Sequence, residues 1–260
     1  MSRPGAPVKP DAADLLVRRL AALGEHRQRI AVLSEEATRL GPEAFADVIA
    51  LVVERSSRNR QEKEHLALSA IVGYLESDLL SCANRQAMMT HCVEARLTRL
   101  LPLLTPTAEP QDQDQAPIPD YGRGRTLTLG ERKALARRPT RQSFERLLAD
   151  PHPAVIHNLL RNPHLTEEDV LSLVTRRPSG GKVLEEVWQN TRWRSRYAVK
   201  HALAQNPYTP LTVSLNVLPQ LLRQHLEELL GDAKLHPTLR ATCRRLLDRT
   251  PPDSHHGPLH

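Results

Sequence analysis

The sequence is poor in aromatic residues. Its 260 residues include 2 Phe, 4 Tyr and 2 Trp, with only 11 Gly, which excludes the aromatic-rich strands and frequent tight turns of sandwiches and barrels. Three cysteines, Cys82, Cys92 and Cys243, are an odd number in a long chain, which disfavours a secreted disulfide framework and fits a reducing cytoplasm. The longest unbroken apolar run, Val48 to Val53, is too short to cross a bilayer, and the opening Met1-Ser-Arg-Pro-Gly-Ala-Pro lacks the apolar core of a signal peptide. A cytoplasmic, unanchored protein with no membrane insertion is the expectation.

What is present is enough to fold. With 40% hydrophobic and 25% charged residues, the chain can fill one large or two small cores, and its Leu-, Ala- and Arg-rich windows predict an all-α fold. Residues 105–125 break the pattern: Pro106, Pro110, Pro117 and Pro119 surround Gln111-Asp-Gln-Asp-Gln115, a segment with no apolar face, read as a flexible linker. The expected organisation is therefore a helical domain over 1–104, a linker over 105–125, a basic helical domain over 126–250 and a disordered tail over 251–260.

In the first half, spacing predicts about five helices, either as a bundle or as further helical repeats. Asp11 opens a segment with Leu15, Leu16, Leu20 and Leu23, which ends at Gly24; Ile30, Leu33, Ala37 and Leu40 mark the next, up to Gly41-Pro42. Phe45, Val48, Ile49 and Val52, then Leu68, Ile71, Val72 and Leu75, give two more apolar faces. Met88, Met89, Cys92, Val93, Leu97 and Leu100 mark a last helix closed by Pro102. Short punctuation between such segments predicts antiparallel neighbours. In the second half, Pro139, Pro151, Pro153, Pro163, Pro178, Pro207, Pro210, Pro219 and Pro237 limit each helix to a few turns, because proline is tolerated in a first turn and breaks an interior. Thr128-Leu-Gly-Glu131 and Thr166-Glu-Glu-Asp169 have capping-box form. Leu218, Leu221, Leu222, Leu226, Leu229 and Leu230 have the spacing of one amphipathic face.

The second half is also self-similar. Ala136-Arg-Arg-Pro-Thr140 recurs loosely as Thr175-Arg-Arg-Pro-Ser179, offset by 39, and Arg161-Asn-Pro-His-Leu-Thr166 recurs as Gln205-Asn-Pro-Tyr-Thr209, offset by 44. Unequal offsets near forty predict a degenerate α-solenoid with an insertion around Thr191 to Tyr197. Leu147-Leu-Ala-Asp-Pro-His-Pro-Ala-Val155, Asn158-Leu-Leu-Arg-Asn-Pro-His-Leu-Thr166 and Asp169-Val-Leu-Ser-Leu173 resemble the leucine-rich repeat variant family and its HEAT-like relatives in bacteria, over roughly residues 138–247. The resemblance implies a helical-repeat scaffold. It does not imply the cysteine-bound cluster of some variant-repeat proteins, for which the thiols are too few. The second unit has Asn190-Thr-Arg-Trp where the first has Asp150-Pro-His-Pro.

Charge and aromatics mark the candidate surface. Residues 1–104 hold 14 Lys and Arg against 13 Asp and Glu, and 105–125 hold 2 against 4; residues 126–250 hold 20 against 12, an excess of eight positive charges. Within that block, Trp193, Tyr197, Lys200 and His201 interleave with Arg192, Arg194 and Arg196. Aromatics beside cations suit a partner-binding face or stacking on bases, and the same spacing suits packing between repeats. Cys82, His91 and Cys92 match no zinc spacing, and His255, His256 and His260 lie in the polar tail, so no metal ligand, catalytic residue or cofactor is assigned. HExxH, GxSxG, GxxxxGK[ST] and GxGxxG are missing, and Asp150, Glu185 and Glu186 pair with no evident base. The leading reading is a non-enzymatic scaffold or adaptor for another, acidic protein. The alternative is a HEAT-like nucleic-acid binder; its catalytic version, excision of damaged bases, is not carried onto Trp188, Trp193 or Asp150.

Overall fold

A computed structural model describes residues 10–58, 61–104 and 117–248. Among these residues all regular structure is helical, with sixteen α-helices, one 3-10 turn and no strand. No helix among them is long and apolar enough to cross a membrane. Two compact units are formed, one by residues 1–107 and 236–260, the other by 108–235.

The first unit holds α1 (Pro10–Ala21), α2 (His26–Leu40), α3 (Pro42–Arg58), α4 (Glu62–Glu76), α5 (Cys82–Glu94), α6 (Leu101–Leu104) and the C-terminal α16 (Pro237–Leu247). α4 is its centre, packed on α1, α2, α3 and α6. Ala67 through Leu75 are buried without interruption, as expected for a helix covered on every side. Gly73 lets α2 approach: a Cβ there would lie 2.6 Å from His26 Nε2 and 3.1 Å from Ile30 Cδ1. Phe45 meets Tyr74 edge-on, with ring centroids 5.6 Å apart. Helix ends are closed by arginines, because the last carbonyls of a helix have no partner within it. Arg29 donates to Leu20 O at 3.1 Å and Leu23 O at 2.5 Å, and Arg85 donates to Leu104 O at 3.2 Å and also to Leu75 O.

Several expectations change here. Leu15 and Val93 are 69% and 66% exposed, so neither belongs to the core. α5 ends at Glu94, and Pro102 sits in the first turn of α6 rather than closing a longer helix, a position where its missing N–H costs nothing. α16, expected with the second half, packs on α3 and α6. Leu239, Cys243 and Leu247 are buried, and Arg245 donates to Ser56 O.

The second unit holds α7 (Leu129–Arg137), α8 (Arg141–Leu148), α9 (Pro153–Leu160), α10 (Glu167–Thr175), α11 (Gly181–Gln189), α12 (Thr191–Arg194), α13 (Tyr197–Gln205), α14 (Leu211–Val217), a 3-10 turn (Leu218–Gln220) and α15 (Arg223–Gly231). α7 packs on α9 and α9 on α11, while α10 packs on α13, which in turn meets α14 and α15. Both expected capping boxes form, and Thr140 with Ser143 makes a third. The leucine run does not make one helix: Pro219 holds a 3-10 turn, α15 starts only at Arg223, and Leu222 is 56% exposed. Of the expected linker, 105–116 lies outside the described residues, as does the tail 251–260. Residues 117–125 are not a free linker: Tyr121 is buried, and its hydroxyl donates to Asp150 Oδ2 at 2.6 Å.

Candidate functional site

The predicted face falls on α12 and α13, and burial divides it. Trp193 is 1% exposed. Its indole N–H donates to Leu160 O at 2.9 Å, filling one of the carbonyls left open at the end of α9. Arg192 lies 4.2 Å over the Trp193 ring and gives its Nη1 and Nη2 hydrogens to Asn162 O at 3.0 Å and Leu165 O at 2.9 Å. Burial of Trp193 corrects its assignment to a partner-binding face, whereas Arg192 remains exposed while it joins one helical layer to the next. Arg196 is exposed and 3.8 Å from Glu167. Arg194 is exposed and Lys200 half-buried, and neither side chain has a hydrogen bond or ion pair among the described residues.

Tyr197, His201 and Gln205 recur at four-residue spacing along α13, so they share one face, and that face meets α15. The Tyr197 hydroxyl accepts from Leu222 N–H at 3.0 Å and lies 2.6 Å from His225 Nδ1. The His201 and His225 rings lie with centroids 3.9 Å apart and their planes tilted by 32°. His225 and Glu228, three residues apart, lie together on α15; Gln205 Nε2–H donates to Glu228 Oε1 at 2.6 Å, and Glu228 Oε2 lies 3.3 Å from His201 Nε2. That last contact is poorly aligned for a hydrogen bond, and His201 Nε2 is buried with no such partner among the described residues. Burial holds the His201 pKa below its ordinary value, the neighbouring His225 lowers it further, and Glu228 opposes both.

Among the described residues this is the only group of three His, Cys, Asp or Glu side chains whose donor atoms all lie within 4.8 Å of one another. The sequence singles out Tyr197 and His201 but not His225, Glu228 or Gln205. The one local signal was the His-x-x-Glu spacing on a helix; the rest is contact across α13 and α15. The remaining candidates disperse. His91 Nε2 pairs with Asp47 at 2.8 Å, Cys92 is buried with its thiol pushed up to about 11 by burial and then by Asp47, and Cys82 is exposed. Glu186 lies 2.8 Å from His157 Nδ1, Glu185 accepts from Gln189 at 3.0 Å, and Asp150 is buried against Arg132 at 2.7 Å.

The charge excess also redistributes. Arg240, Arg244 and Arg245 belong to the first unit, and by sequence residues 1–107 with 236–260 hold 18 Lys and Arg against 15 Asp and Glu, the same as residues 108–235. No protein-family model, curated protein or solved structure matches the chain.

Proposed function

We infer that the protein is a non-enzymatic helical-repeat scaffold, and that its second unit receives an acidic segment of another protein on the strip formed by Arg194, Arg196 and Lys200. The observation that carries this reading is the repetition of the corners. Asp150, Asn190 and Asp232, spaced 40 and 42 residues apart, each accept with Oδ1 from the backbone N–H two residues on, at 2.9, 3.1 and 2.9 Å. Asn162 and Asn206 do the same at 2.9 and 3.0 Å.

Side chains from each layer then return to carbonyls of an earlier one. Asn158 reaches Lys133 O, Arg176 reaches Leu148 O, Trp193 reaches Leu160 O and Asn206 reaches Val174 O, across 25 to 33 residues of sequence. Leu148, Leu160 and Val174 lie in the last turn of their helices, so these layers satisfy carbonyls that a predecessor leaves open, the energetic logic of a repeat array. This supports the HEAT-like reading of the second unit. The same arrangement leaves Arg194 and Lys200 unpaired among the described residues, while Arg192 is committed to the scaffold.

The test is affinity isolation with the full chain beside the triple variant Arg194→Glu, Arg196→Glu and Lys200→Glu. The expected result is a specific protein whose capture is lost in the variant and weakens as salt rises from about 0.05 M to about 0.5 M. Equal capture by both chains would overturn the assignment of this strip. The nucleic-acid alternative rests on the block of eight excess charges, and the even split between units counts against it. A gel shift of duplex or single strands at low salt, abolished by the triple variant, would reinstate that alternative.

A further inference from the structure

We propose that His201, His225 and Glu228 form a binding site for a divalent transition metal of the zinc class, with one nitrogen from each ring, one carboxylate oxygen and solvent in the remaining position. The site is separate from the cationic strip, and the proposal stands whether or not a protein partner binds there.

The donor set is the first argument. Two imidazoles and one carboxylate suit zinc and its first-row neighbours, whereas calcium and magnesium take shells of oxygen. Spacing is the second. Two donors on one tetrahedral zinc, each about 2.0–2.1 Å from the ion, lie about 3.3–3.4 Å apart, and His201 Nε2 and Glu228 Oε2 are 3.3 Å apart. A charge-assisted hydrogen bond would draw the same atoms to about 2.7–2.9 Å and align them; instead His201 Nε2 is buried without a hydrogen-bond partner among the described residues. All three donors lie within 4.8 Å of one another, and the His201 and His225 planes, tilted by 32°, turn further apart on binding so that both in-plane lone pairs reach one ion.

The outer contacts are the third argument. Metal-binding imidazoles and carboxylates are oriented by hydrogen bonds to atoms that do not touch the metal. Here Gln205 holds Glu228 Oε1 at 2.6 Å, which leaves Oε2 on the side of His201, and the Tyr197 hydroxyl, itself fixed by Leu222 N–H, holds the His225 ring at 2.6 Å. His201 comes from α13 and the other two ligands from α15, so a bound ion ties together two helices separated by α14 and the 3-10 turn. An ion that binds only the folded chain stabilises it.

The experiment titrates zinc into the chelator-stripped full chain by calorimetry, with thermal unfolding followed in parallel. The background carries His255→Ala, His256→Ala and His260→Ala, so that tail histidines cannot supply the signal. Saturable binding of one zinc per chain is expected, with a rise in Tm. His201→Ala and Glu228→Gln should each weaken binding at least about tenfold and abolish the Tm rise. Glu228 is more than half exposed, so its variant retains the fold, and unchanged tryptophan fluorescence verifies this for both variants. Cobalt substitution provides a spectroscopic check, since ligand-field bands of a four- or five-coordinate ion should appear in the parent and vanish with His225→Ala. Absence of saturable binding, or binding indifferent to His201→Ala and Glu228→Gln, overturns the site. Neither result bears on partner capture by Arg194, Arg196 and Lys200, so the two readings fail separately.

Discussion

Asp150 is a buried charge at the centre of a hydrogen-bonded network in the second unit. Its side chain is fully buried, and it accepts from Arg132 Nη1 at 2.7 Å with both oxygens, from Tyr121 Oη at 2.6 Å and from His152 N–H at 2.9 Å. Two charges removed from water are tolerated through their mutual contacts, and deleting one strands the other. Asp150→Ala, which leaves the Arg132 guanidinium buried and unpaired, should therefore cost about 3–5 kcal/mol. Tyr121→Phe should cost about 1.5–3 kcal/mol, the range for a hydrogen bond to a charged group. Burial, and then the bond to Asp150, push the Tyr121 pKa far above its ordinary value, so the hydroxyl remains a donor throughout the accessible pH range. Urea unfolding followed by tryptophan fluorescence measures both losses. A cost below about 1 kcal/mol for Asp150→Ala would mean that water reaches Arg132 and that the network does not anchor residues 117–125.

At the scale of the element, α16 shows how one ring can both start a helix and dock it. His236 Nδ1 accepts from Thr238 N–H at 3.2 Å as the N-cap, and Nε2–H donates to Pro102 O at 3.3 Å, an arrangement that only the neutral ring can make. Burial lowers the His236 pKa, with Arg240 adding to the effect and the Pro102 bond opposing it. As pH falls below about 6.5, the unfolded chain takes up a proton that the folded chain refuses, so stability declines until the lower folded pKa is reached. The urea midpoint followed by helical circular dichroism, which registers both units, should fall between pH 7.5 and 5, and His236→Asn, a good cap that does not titrate, should flatten that slope. Some slope will persist, because His26 is also held low, by burial and then by Arg29. An unaltered slope in His236→Asn would remove His236 from the account. What sequence could and could not show follows the same division between local and distant chemistry. The boxes at Thr128 and Thr166 were legible because donor and acceptor lie three residues apart, whereas the partner of His236 lies 134 residues away and leaves no local trace. The leucine spacing from Leu218 to Leu230 mimics one face because periodicity does not register the turn that Pro219 makes. At the candidate metal site, Tyr197 and His201 were legible as ring side chains among cations, but their chemistry depends on α15.

For the whole molecule, the division into units places chemical probes unevenly, and that allows the assignment of α16 to be tested. Cys82, Cys92 and Cys243 all fall in the first unit, and Trp188 and Trp193 both fall in the second. Thiol labelling therefore follows one unit and tryptophan fluorescence the other. Cys82 is exposed and should react at once. Cys92 and Cys243 are buried, and burial pushes their thiols up to about 11 and about 12, so both should wait for local opening. Leu239 is buried in α16 at 2% exposure, and truncating it to alanine should cost about 2–5 kcal/mol through lost burial and the remaining cavity. If α16 belongs to the first unit, Leu239→Ala should speed labelling of Cys92 and Cys243 by at least about tenfold, since about 1.4 kcal/mol of lost protection is already tenfold in the open population. The urea midpoint of tryptophan fluorescence should hold within error. The opposite pattern, with fluorescence shifted and Cys92 still protected, would return α16 to the second unit and restore the excess of positive charge there. Charge distribution, unit boundary and the choice between protein and nucleic acid as partner therefore turn on where one eleven-residue helix is buried.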